Sequence, residues 1–98
     1  MLFHGTWEFT DTSEQGVKRT LEVFSKWQPP AGANFSRGWY GFSDRSGGVA
    51  IVEVDNAAAL SRTIDPWVPR LRFEVTPIVP IEESAQIAGE AVAFRESV

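Results

Sequence analysis

Cysteine is absent from this 98-residue chain, which excludes disulfides, thiolate metal sites and thiol nucleophiles. Histidine occurs once, at His4, too few for a multi-histidine metal centre within one chain. No apolar run approaches the roughly 20 residues needed to span a bilayer. Met1 leads directly into a strand-like segment with no signal-peptide pattern, and a soluble cytoplasmic protein is expected. The nine basic residues are scattered from Lys18 to Arg95 without a run, and the net charge is −4. Nucleic-acid binding would want a concentrated basic face, so it is not expected. Gly47-Gly48 is too short to cradle a phosphate, and no motif calls for a cofactor or a metal.

What is present is apolar and aromatic: 43% of the residues are hydrophobic and 12% aromatic, with four tryptophans. That suffices for one packed domain over residues 1–98. Tryptophan rarely buries completely in so small a domain, so some of the four should line a cleft or an interface.

Leu2 to Phe9 alternates. Phe3, Gly5, Trp7 and Phe9 share one face of a strand, and Leu2, His4, Thr6 and Glu8 share the other. Asp11-Thr12-Ser13-Glu14 reads as a helix start with Asp11 as the cap. Val17, Thr20, Leu21, Phe24 and Trp27 then form one apolar stripe, and Pro29-Pro30 ends the helix. Asn34 to Ser43 reads as a second strand, and Asp44 to Gly48 as a hairpin turn. Val49 to Val54 is the strongest strand and reads as central and covered on both faces. Asp55 or Asn56 caps a short helix with Ala57, Leu60 and Ile64 inward. Leu71 to Val79 is the last strand, at a sheet edge because Pro77 cannot donate to a ladder. Glu82 to Phe94 forms a third helix with a narrow stripe of Ile87, Ala91, Phe94 and Val98, suited to docking on the domain or on a partner subunit. The order predicts an α+β fold of the ferredoxin-like βαββαβ type with a C-terminal helix and strand order 4-1-3-2.

The segments Phe3-His4-Gly5-Thr6-Trp7-Glu8-Phe9, Phe24-Ser25-Lys26-Trp27-Gln28-Pro29-Pro30, Gly38-Trp39-Tyr40-Gly41-Phe42 and Gly48-Val49-Ala50-Ile51-Val52-Glu53-Val54-Asp55 carry a family resemblance. On them the chain resembles the small DUF3303-type proteins of the dimeric α+β barrel superfamily, a family without a settled activity. The resemblance implies a homodimer whose open sheet faces pair into a barrel, with a ligand in the barrel or in a cleft beside it. Members of that superfamily include antibiotic-biosynthesis monooxygenases, muconolactone isomerases, polyketide cyclases and haem-degrading enzymes. The haem-degrading members use an axial His on a helix, whereas His4 is on a strand.

Candidate chemistry follows from the alternation. His4, the side chain suited to proton transfer near neutral pH, falls on the open face with Thr6. Its plain alternative is a strand histidine bonded to a neighbour. Glu53 sits between Val52 and Val54, where a carboxylate must pair, reach solvent or take up a proton. Arg72 and Glu74 share a strand face and are candidate partners for Glu53 or His4. Trp39 and Tyr40 are adjacent, so one faces the helices and the other the open face, to stack on a ligand or, for Tyr40, to donate a proton. Trp67, between Pro66 and Pro69, is a candidate pocket rim or lid, or simple loop packing. Trp7 and Trp27 read as core. Two functions are carried forward. One is a cofactor-independent enzyme moving protons on a small apolar or aromatic metabolite, an isomerase, cyclase or monooxygenase-like protein. It would use His4, Glu53 and Tyr40, with Thr6, Trp39, Arg72 and Trp67 around the ligand, in a pocket on the open sheet face. The other is a non-catalytic small-ligand-binding or stress-related assembly protein.

Overall fold

A computed structural model describes residues 1–98. Along the chain run β1 (Leu2–Phe9), α1 (Glu14–Lys26), β2 (Ala33–Asn34), β3 (Trp39–Gly41), β4 (Gly47–Val54), α2 (Ala57–Ile64), a 3-10 turn (Asp65–Trp67), β5 (Leu71–Ile78) and α3 (Ile81–Glu96). The protein is α+β, an open antiparallel sheet with three helices. Its strands lie in the order β2-β4-β1-β5, with β3 also on β4, consistent with the ferredoxin-like order expected. β5 pairs with β1 alone and carries Pro77, so it forms an edge.

The register assigns the faces. Gly5 lies between Ala50 and Val75, Trp7 between Gly48 and Phe73, and Phe3 between Val52 and Pro77; these look toward α1 and α2. On the other face His4 lies between Ile51 and Thr76, and Thr6 between Val49 and Glu74. Along β4, Ala50, Val52 and Val54 are buried, while Val49, Ile51 and Glu53 are half-buried. The strand is therefore interior in the sheet but covered on one face only, not on both.

Several local expectations are corrected. Ser13, not Asp11, caps α1: its hydroxyl accepts from the Gly16 amide at 3.1 Å, and Asp11 accepts from the Ser13 amide at 2.9 Å, one turn further out. Asn56 caps α2, accepting from the Ala59 amide at 2.9 Å. In α2 the buried positions are Ala59 and Thr63, and Ala57 is exposed. The segment 34–43 is not one strand. The Asn34 side chain accepts from the Ser36 amide at 2.8 Å, and Gly38 takes φ 149°, which an L-residue adopts only with strain. β2 and β3 are the two pieces.

That break has a structural product. Residues four apart on a straight strand stand about 13 Å apart, yet the Phe35 and Trp39 rings are 4.8 Å centroid to centroid. Trp27 of α1 packs against both, at 5.7 and 5.6 Å, and against Trp67 at 5.4 Å. Phe24 reaches Trp39 at 5.8 Å. Offset and edge-on aromatic pairs of this kind add about 0.5–1.5 kcal/mol each beyond burial. Trp67 is packed into this cluster and only 7% exposed.

α3 stands apart. None of its residues is buried, and no other element packs extensively against it. At 100° per residue Glu82, Glu83, Glu90 and Glu96 fall on one side with Gln86, Gly89 and Ala93, while Ser84 and Arg95 stand among the apolar residues of the other, so the two faces are weakly separated. Docking on its own domain is thus excluded in the single chain. The molecule measures 59 × 29 × 21 Å, with a radius of gyration of 17.2 Å, against about 12.6 Å for a compact chain of this length.

Candidate functional site: an apolar trough between the helices and the sheet

The aromatic side chains of the covered face hold α1 away from the sheet and leave a trough beneath it. Its volume is about 460 Å³, and 18 of its 22 lining residues are hydrophobic. β1 contributes Phe3, Gly5, Trp7 and Phe9, β4 contributes Ala50 and Val52, and β5 contributes Leu71, Phe73 and Val75. The opposite wall is α1, with Val17, Leu21 and Phe24, and α2 with Leu60 and Ile64. Leu21 and Phe24 remain 61% and 54% exposed and form the mouth. A volume of roughly 300–1,000 Å³ with a mostly apolar lining is the ordinary profile of a small-molecule site.

No carboxylate, ammonium, guanidinium or imidazole lines this trough; Tyr40 is its one ionisable neighbour. The hydroxyls of Thr20 and Thr63 donate to the backbone carbonyls of Gly16 and Ala59, at 3.1 and 2.8 Å. They can still accept, but their protons are spent. The arrangement suits burial of apolar surface, and Tyr40 is the one side chain of the lining with an ionisable proton.

The residues expected to form a site divide between the two faces. Trp39, opposite Ala50, and Trp67 belong to the covered face, where both join the aromatic cluster and line the trough. His4, Thr6, Glu53, Arg72 and Tyr40 share the open face, Tyr40 opposite Val49 and 68% exposed. There they do not assemble into a linked group. Arg72 pairs with Glu8 at 2.8 Å rather than with Glu53 or His4, and Glu53 lies 3.6 Å from the Met1 ammonium with its side chain 47% exposed. Exposed pairs of this type contribute at most about 1 kcal/mol.

Two carboxylates are displaced from their ordinary titration range, and both are at turns remote from these groups. The hydroxyl and then the amide of Ser13 hold Asp11 low, and the amide and then the hydroxyl of Ser46 hold Asp44 low. Each therefore stabilises its turn above the ordinary carboxylate pKa and loses that contribution as pH falls through its depressed folded value.

The family model described as "Domain of unknown function (DUF3303)" matches residues 1–92. The chain belongs to the DUF3303 family. That span takes in both faces of the DUF3303 sheet, the whole trough and most of α3. No curated protein matches the chain, so no relative lends this DUF3303 trough a ligand. The feature that residue-by-residue reading missed is the cavity's position. The Asn34, Ser36 and Gly38 pattern that folds Phe35 onto Trp39 was its available signal.

Proposed function

We propose that the protein binds a small apolar molecule in the trough between its helices and its sheet, without catalysing a reaction there. The observation that carries this is a cavity of about 460 Å³ whose lining contains no charged side chain. Burying an ion there would be costly without a partner, and general acid–base catalysis needs a group within hydrogen-bond reach of the reacting atom. Of the proton-transfer candidates His4, Glu53 and Tyr40, the first two stand on the other side of the sheet, and Tyr40 alone borders the trough, 68% exposed. N-phenyl-1-naphthylamine, neutral and fluorescent in apolar surroundings, should bind saturably with one site per chain. His4→Ala should leave its dissociation constant within twofold. Absence of saturable binding, or its loss in His4→Ala, would reject the reading.

The working unit in this reading is a homodimer, as the dimeric α+β barrel arrangement implies. Support comes from surface area. The chain exposes 7184 Å², whereas a compact monomer of its mass exposes roughly 5,600 Å². The excess, roughly 1,600 Å² per chain, exceeds the ~800 Å² that each partner buries in a standard interface. The open sheet face and α3 are the surfaces to cover. Sedimentation at micromolar concentration should give a dimer. A chain ending at Pro80 should keep its sheet signal by circular dichroism yet associate at least tenfold more weakly. A monomeric full chain would sink the proposal, and an unfolded truncation would place α3 in the core.

A further inference from the structure

The helix-facing positions of β1 are Phe3, Gly5, Trp7 and Phe9, so a single glycine interrupts a row of rings. Its cross-strand neighbours on that face are Ala50 and Val75, and beyond Ala50 lies Trp39. Gly5 and Ala50 thus form a flat patch two strands wide, with Phe3 and Trp7 at its ends along β1 and Val75 and Trp39 at its sides. The vacancy is at Gly5: a Cβ built there meets no atom nearer than the Glu74 backbone carbonyl oxygen at 4.0 Å, whereas Ala50 is only 5% exposed and forms the covered margin of the patch. Gly48, one strand over, is the contrast. There the Trp7 indole already lies where a Cβ would stand, so Gly48 seats a side chain of the protein while Gly5 seats nothing.

We propose that the ligand is a planar, uncharged ring system lying flat over Gly5, and that Gly5 determines this specificity. This rests on the apolar-ligand reading of the same trough. At Gly5 the strand presents bare backbone as a level surface, and the side chains before and after it on that face, Phe3 and Trp7, are ring systems that offer faces or edges to an aromatic guest. A puckered saturated ligand of equal carbon count is thicker and makes fewer contacts with a level floor. Charge is excluded by the lining, which offers no counter-ion. Between Phe3 and Trp7 the floor runs about 13 Å along the strand, ample for two fused rings.

The test compares 2-naphthol, flat and neutral at pH 7, with 2-decalol, the same skeleton saturated and puckered. Both are titrated calorimetrically into the full chain and into Gly5→Val. The wild type should bind 2-naphthol at least tenfold more tightly than 2-decalol. Gly5→Val, which fills the patch with a good strand former, should weaken 2-naphthol at least tenfold while keeping the wild-type melting temperature or raising it. Equal affinity for the two alcohols, or unchanged 2-naphthol binding in Gly5→Val, would overturn the flat-patch assignment and leave the apolar-ligand reading standing. Binding of neither alcohol to the wild type would overturn both. Should Gly5→Val melt early, Gly5→Ala carries the test: its methyl group meets only ordinary contacts, and it should weaken 2-naphthol about threefold. No change there rejects the role of Gly5.

Discussion

Trp67→Ala should lower the stability of the chain by about 3–5 kcal/mol, the range found when a large buried aromatic is truncated. Domains of this size have only about 5–15 kcal/mol in total, so the melting temperature should fall by at least about 12 °C. The reason lies in what the indole touches. It is 7% exposed and closes an aromatic cluster whose other members come from α1 and from the two pieces of the broken strand. Removing it leaves Trp27 without its 5.4 Å neighbour and Phe24 without its 6.4 Å neighbour. It also loosens the end of the trough where α2 turns toward β5. Near-ultraviolet circular dichroism should lose the coupled tryptophan signal in parallel with the drop in melting temperature. A variant melting within a few degrees of the wild type would mean that the cluster contributes little and that α1 is held by other contacts.

Gly48→Ala should destabilise by about 1–3 kcal/mol through overpacking, although it adds one methyl group. The added Cβ falls on the Trp7 indole and within 2.5 Å of the Tyr40 carbonyl oxygen. The carbonyl belongs to the β3–β4 pairing and cannot retreat without opening it, so the indole must leave. Trp7 fluorescence and the volume of the trough should change together. Gly5→Ala is the internal control: it adds the same methyl group to the same face, against a nearest atom at 4.0 Å, and its stability should stay within about 0.5 kcal/mol of the wild type. If the two glycines respond alike, the distinction between an occupied and a vacant position on this face is wrong.

The strand faces were legible in the sequence because alternation has a period of two and β1 states it without interruption. Phe3, Trp7 and Phe9 go to the helices, and His4 and Thr6 go to the open side. The edge position of β5 was legible for an equally local reason, the missing amide of Pro77. The cavity was not. Alternation says which way a side chain points but not how far away the covering layer sits. That height is set by rings from distant positions, Trp27, Phe35, Trp39 and Trp67, meeting in space. The aromatic content of residues 34–43 also hid their break. A strand-like composition masked an Asn turn and a positive-φ glycine that act over only three or four residues. The ion pairs of the open face were half legible: Arg72 was marked for a carboxylate, but register alone chose Glu8, its direct cross-strand partner.

The isolation of α3 has a consequence for how the chain spends its time. A helix of 16 residues with none of them buried lies near the length at which a helix by itself is marginal in water. Its hydrogen bonds are held by the helix alone, so it frays and re-forms independently of the sheet and belongs to the low-stability end of the molecule. A surface laid along Ile81, Ala85, Ala88 and Val92 would draw that coil–helix balance toward helix, since whatever binds only the folded form shifts it by mass action. Order in residues 81–96 thereby becomes a gauge, built into the chain, of whether anything is resting against it.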